Sequence, residues 1–266
     1  MRLYGIVAVG GFRRFAAYRM ATAAGMFTNT VFGFIIAATY IALWDQRPRL
    51  GGYDIDQALT YVWLGQALLT ACAMMGGGFE TELIERIRSG DVAIDLYRPV
   101  DLQCFWLAAD LGRAAFQLLG RGVVPMTVGA LAFDLALPSS PLTWAAFLVA
   151  VWLALVVSFA FRYLVALSGF WLLDGAGVMQ LSALVGTFFS GMLLPLNVFP
   201  GVLGEIARAL PWSSYLQIPA DVLLGERTGW GLAGAYAFQA GWAAVLLTAG
   251  RFLQTVAVRR VVVQGG

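Results

Sequence analysis

The chain has no histidine, no lysine and only two cysteines, and each absence removes a class of chemistry. Without histidine there is no imidazole base, proton relay or imidazole metal ligand. Two thiols, Cys72 and Cys104, cannot build a metal cage. Cys72 falls in an expected span and Cys104 near the cytoplasmic face, which argues against a disulfide. Charge is scarce as well: 12% of residues are charged, against about 25% in soluble domains. The net charge of +2 is too small to point to nucleic acid. Gly76-Gly-Gly78 is not a phosphate loop, because no Lys-Ser/Thr follows. No paired-carboxylate metal site and no Ser/His pair appears. The sequence therefore names no catalytic residue, metal ligand or cofactor, and the chain is not expected to be an enzyme.

What the chain has in quantity is apolar surface. Hydrophobic residues make up 60% and the mean hydropathy is +0.78. That composition predicts an all-α integral membrane protein, a single transmembrane domain over residues 1–266. Met20 to Trp44 is uncharged. At about 1.5 Å per residue it crosses a hydrocarbon core of about 30 Å, and it is too long for a signal peptide. The predicted spans are about 20–44, 57–78, 115–137, 142–170, 178–196 and 231–256. Six spans put both termini on one side. Arg2, Arg13, Arg14 and Arg19, then Arg86, Arg88, Arg98 and Arg113, then Arg259 and Arg260 all fall on that face. The other face has only Arg47, Arg49, Arg208 and Arg227. The positive-inside rule makes the first face cytoplasmic.

Between spans five and six, residues 195–230 are too polar and too rich in proline for a crossing. Pro200, Pro211 and Pro219 start or stop short helices that are expected to dip into the outer leaflet and return. An ordinary outer loop carrying an amphipathic helix is the alternative. The N-terminal segment Val9–Tyr18 sets Phe12, Phe15 and Ala16 against Arg13, Arg14 and Arg19, the pattern of an interfacial helix.

The conspicuous charged stretch lies between spans two and three, at Glu80–Arg113. Leu83, Ile84 and Ile87 share one helical face over Glu80–Ser89, with Glu82, Glu85, Arg86 and Arg88 around the rest and Gly90 as the stop. Such a stripe either seats in a partner's groove or rests on the bilayer, and periodicity alone does not choose. Further on, Asp110 stands three residues before Arg113 and is placed to pair with it. Arg113, Gln117 and Arg121 recur every fourth residue as one polar stripe. Arg121 and Arg162 lie toward cytoplasmic span ends, where snorkelling or a local ion pair competes with a role in gating or substrate contact. Asp174 reads as a solvated turn aspartate.

Five short features carry a resemblance. Ile87-Arg-Ser-Gly-Asp-Val-Ala-Ile-Asp-Leu-Tyr-Arg-Pro-Val-Asp101 has the form of a short cytoplasmic loop motif. Gly169-Phe-Trp171 precedes span five, and Phe189-Ser-Gly-Met-Leu-Leu-Pro-Leu-Asn-Val-Phe-Pro200 ends it. Pro211-Trp212 with Pro219 and Gly225, and the final Gly-Gly, complete the set. Over nearly its whole length the chain resembles the permease subunits of ABC type-2 exporters. The resemblance implies a six-span half-permease in the cell's inner (plasma) membrane. It pairs with an identical or sister permease and docks on two cytoplasmic ATPase subunits that bind the ATP. It implies a coupling helix formed by Glu80, Glu82, Leu83, Ile84, Glu85, Arg86, Ile87 and Arg88. It also places Asn29, Thr30, Thr39 and Ser190 as candidate contacts on the translocation path. A membrane scaffold and an ion-driven secondary transporter are the competing readings. Spans one and two hold no acid and no internal repeat is visible, which speaks against the ion-driven one.

Overall fold

The computed structural model describes residues 2–97, 99–172 and 175–258. Arg98, Asp174, Arg259, Arg260 and the terminal Gly265-Gly266 lie outside them. Among the described residues the chain is all-helical, with no strand.

Helix α1 (Arg2–Ala16) is followed by α2 (Arg19–Gln46) and α3 (Ile55–Leu69). Asp54 starts α3 with a capping box: its carboxylate accepts from Gln57 N at 2.8 Å, and Gln57 Oε1 accepts from Asp54 N at 3.0 Å. Next come α4 (Phe79–Ser89), α5 (Val92–Tyr97), α6 (Leu102–Gln117) and α7 (Val123–Ala132). A single π turn at Leu118–Gly122 joins α6 to α7. Pro125 explains it, because a proline has no N–H for the carbonyl of Arg121 and its ring crowds that carbonyl in a regular helix. Pro141 opens α8 (Pro141–Leu167) at its first turn, where a missing N–H costs nothing. Then follow α9 (Ala176–Phe189), α10 (Gly201–Ala209), α11 (Gln217–Leu223) and α12 (Gly229–Val258).

Among the described residues, four helical segments are long and apolar enough to cross a bilayer: Arg19–Gln46, Leu102–Ala132, Pro141–Phe170 and Gly229–Val258. The other two expected spans are shorter. With 15 and 14 residues, α3 and α9 reach only about 22 Å each at about 1.5 Å per residue. For α3 the reason lies in the sequence after Leu69. Ala73, Gly76 and Gly77 all take positive φ, which a continuing helix does not allow. The third span also sits earlier than expected. Its helix begins at Leu102, within the stretch expected outside the membrane, and ends at Ala132. Asp110 and Arg113 therefore both lie within this helix, where they pair, as shown below.

The main core runs along α3 and α8, with Tyr61, Leu68, Val157 and Ala160 among its buried members. A second core gathers Phe79, Leu83, Val92, Trp106, Phe159 and Tyr163 where α4 meets α6 and α8. Two close approaches set helix positions. Helix α1 crosses α6 at glycines: a methyl group on Gly112 would stand 1.9 Å from Ala8 O, and one on Gly11 2.3 Å from Ala109 O. The Trp63 indole fills the slot between α2 and α7, where a methyl group on Gly33 or Gly129 would come within 2.5 or 2.3 Å of the ring.

The short outer pieces are tied down by a buried polar network. Gln217 Nε2 donates to Tyr53 Oη and to Asp221 Oδ1, both at 2.8 Å, and Gln217 Oε1 accepts from Leu196 N at 2.7 Å. Tyr53 also donates to Asp221. The start of α3 and the pieces around Pro195–Leu223 are thereby joined.

The Trp63 slot gives a test. Gly129→Ala should destabilise the protein by about 1–3 kcal/mol through overpacking. Gly241→Ala, which faces open space, should be near neutral. Thermal unfolding in mild detergent compares the two, and equal midpoints would show that the slot is not tight.

Candidate functional site

The inner end of α3 is where the polar side chains converge. A helix that stops inside a bundle leaves its last carbonyls without partners. Arg113, from the next long helix, supplies them: its guanidinium donates to Thr70 O at 2.7 Å and to Ala71 O at 2.9 Å. A cation at this end also suits the helix dipole. Ser158 of α8 donates to the next carbonyl, Cys72 O, at 2.5 Å.

Arg113 is only 3% exposed, so its charge needs a counter-ion. Asp110, one turn earlier, meets Arg113 Nε at 2.6 Å. The pairing expected from the i,i+3 spacing is therefore present. Asp110 is shared, however. Its other oxygen meets Arg162 Nη2 at 2.5 Å, and Arg162 Nη1 meets Glu80 at 2.9 Å. Arg162 Nε donates to Ser158 at 3.2 Å, and its guanidinium carbon lies 5.1 Å from the Phe79 ring centroid. The result is a buried, charge-balanced set of two carboxylates, Glu80 and Asp110, and two guanidiniums, Arg113 and Arg162. It binds α4, α6 and α8 to the broken end of α3. Of the two readings open for Arg162, the local ion pair describes its geometry.

Glu80 also accepts from Gly78 N at 2.9 Å, closing the first turn of α4. The remaining residues of α4 divide by face. Leu83 and Ile84 are buried in the second core, with Ile87 packed against it. The apolar stripe is thus covered by the chain itself and is not free to seat elsewhere. Glu82, Glu85 and Arg88 remain on the outer side, Glu85 paired with Arg88 at 3.6 Å. Glu82 meets Arg14 of α1 at 2.6 Å across an exposed gap. Arg86 turns sideways to Asp95 of α5, with two contacts at 2.5 and 2.9 Å, and the Asp95 carboxylate holds its guanidinium above its ordinary pKa. Gly90 stops the helix at φ +83°.

Beside the ion set lies a cavity of about 540 Å³ between α2, the end of α3, the π turn and the segment after α9. Its wall carries Arg113, Gln117 and Arg121, the stripe visible in the sequence, with Asn29, Gln66 and Thr70. Asn29 Nδ2 donates to Gln66 O at 3.2 Å. Thr30 and Thr39 turn back onto their own helix, to Met26 O and Ile35 O. Ser190 is fully buried and donates to Thr187 O at 2.9 Å. None of these three lines the cavity. Gln66 and Thr70 escaped sequence reading: both look like ordinary span residues, and only the break after Leu69 exposes their wall.

A family model described as ABC-2 family transporter protein matches residues 24–265. The chain belongs to this family. It is a membrane permease of an ABC transporter, whose ATPase resides on partner subunits. No curated protein matches the chain significantly.

The ion set makes a quantitative prediction. Arg162→Met should destabilise the permease by about 3–5 kcal/mol, because Glu80 loses its cation while buried. Adding Glu80→Gln should recover part of that loss. A double-mutant cycle by thermal unfolding reads the coupling; strictly additive costs would mean that the two side chains do not interact.

Proposed function

We propose that this chain is half of an exporter, with α4 as the element that receives the push of the ATPases. The carrying observation is the attachment of α4. Its first turn is held to α8 and α6 through Glu80–Arg162–Asp110, and its apolar stripe is packed into the second core. A displacement of α4 therefore moves α6 and α8 with it, as a rigid body rather than by bending a loop.

In this reading the chain crosses the membrane six times. Helix α3 with the irregular residues after it, and α9, provide the two short crossings. Irregular backbone at that depth is acceptable because Arg113 and Ser158 satisfy it. Both termini are cytoplasmic on the distribution of arginines. Helix α1 then lies on the inner face beside α4, joined to it by Arg14–Glu82. The docking face is the charged rim of α4, chiefly Glu82, Glu85 and Arg88, while Glu80, Leu83 and Ile84 work from inside. Two cytoplasmic ATPase subunits bind the ATP, and a second permease subunit, identical or related, completes the pore in the inner membrane. The exposed apolar residues of α2 and α9, such as Phe27, Leu181 and Leu184, suit that partner and lipid. Cargo leaves past Asn29 and under the short outer helices.

Reversing two charges on the rim tests this. Glu82→Arg with Glu85→Arg should abolish co-purification of the ATPase while membrane insertion and yield stay unchanged. Undiminished ATPase recovery with the double variant would refute docking at α4. Absence of any ATPase from the wild-type complex under nucleotide trapping would favour a scaffold.

A further inference from the structure

The cavity beside α3 has a one-sided charge. Its lining includes two guanidiniums, Arg113 and Arg121, and no carboxylate. Arg113 is fully engaged by Asp110 and the carbonyls of Thr70 and Ala71. Arg121 is not. It has no ion pair or hydrogen bond among the described residues, and its Nε is buried without a partner. Arg121 is half-buried, and a guanidinium that gives up part of its hydration without gaining a counter-ion is available to an anion from outside the chain. The side chain is also held in place. Helix α2 passes so close that a methyl group on Gly25 would stand 2.1 Å from the guanidinium carbon. Glycine leaves the groove the cation occupies.

Other polar residues of the lining also carry unpaired groups. Gln66 and Gln117 are only 1% and 8% exposed, and each has a side-chain oxygen with no partner, as does the Thr70 hydroxyl. An amide turned by half a rotation offers N–H donors instead, and the hydroxyl donates or accepts. The rest of the lining is largely apolar: Phe32, Ile36, Leu69, Met75, Met192 and Leu193. The volume of about 540 Å³ is that of a small-molecule site, within roughly 300–1,000 Å³.

We propose that this cavity binds an amphiphile with one compact anionic head, a phosphate or carboxylate, and a single apolar tail. Arg121 holds the head with help from Gln66, Gln117 and Thr70. The tail lies along Phe32, Ile36 and Met192. A headgroup of the surrounding bilayer shares the anionic chemistry, but it brings two tails. The role of the ligand as cargo rests on the exporter reading; its binding does not.

The test uses the purified full-length permease, without ATPase, in neutral detergent and read by native mass spectrometry. The probes are lysophosphatidic acid, lysophosphatidylcholine, phosphatidic acid and inorganic phosphate. Lysophosphatidic acid should bind at least tenfold more tightly than lysophosphatidylcholine. Arg121→Gln should remove at least tenfold of that affinity, and Arg121→Lys should keep most of it. Thr28→Trp, at an exposed position on the cavity rim, should weaken lysophosphatidic acid and leave phosphatidic acid on the protein surface unaffected. It also keeps the test open if Arg121→Gln fails to fold. Equal binding of the zwitterionic probe, no effect of both Arg121→Gln and Thr28→Trp, or full displacement by inorganic phosphate would overturn the proposal. Binding without ATPase docking would refute the exporter reading alone, and docking without binding would refute the cavity assignment alone.

Discussion

The inner half of this permease depends on how the interrupted end of α3 is capped. Breaking a helix inside a bundle strands carbonyl groups, and only a donor brought from elsewhere can satisfy them. Arg113 is that donor, and each further partner follows from it. A buried arginine needs Asp110; Asp110 has a second oxygen to satisfy, and Arg162 meets it; Arg162 has a second nitrogen to satisfy, and Glu80 meets it. Glu80 is in the first turn of α4. A need for hydrogen bonds in one helix has thereby fixed the position of another that lies outside the span.

Stability alone does not account for such a set. Desolvating four charges is costly, and well-packed apolar residues in their place would do as well or better. What apolar residues lack is direction. Ion pairs at 2.5–2.9 Å lock the register of α4, α6 and α8 in a way that interchangeable methyl groups do not. The contrast with Arg14–Glu82 is instructive. That pair is exposed on both sides and contributes little; α1 is held instead by its close glycine crossing of α6. The buried pairs define what moves together.

Much of this was legible in the sequence, and the exceptions share one cause. Long uncharged runs, Gly90 after α4 and the prolines at 200 and 211 each act through neighbours in the chain, so α2, α4, α8, α12 and the short outer helices could be read directly. The i,i+3 pairing of Asp110 with Arg113 was equally local. The Arg162–Glu80 pair joins residues 82 positions apart, and no local rule reaches that far. The early start of the third long helix, at Leu102, is out of local reach for the same reason: two charges in a helix look too costly to bury until their remote partners are known. The stop after Leu69 was missed because the apolar run continues unbroken to Phe79, and hydropathy does not register positive φ at Ala73.

Arg113 and Arg121 bring these points together. They are the same residue type on the same face of one helical segment, and both border the same cavity. Their fates differ because of what stands one turn before each. Asp110 precedes Arg113 and neutralises it; Gln117 and Leu118 precede Arg121 and do not. The first arginine, with its charge balanced, is free to serve the backbone as a cap. The second keeps an unbalanced charge, and the π turn forced by Pro125 carries it at the cavity edge rather than in a regular helical packing. A local sequence difference of one carboxylate thus separates an arginine that builds the permease from one that is available to its ligand.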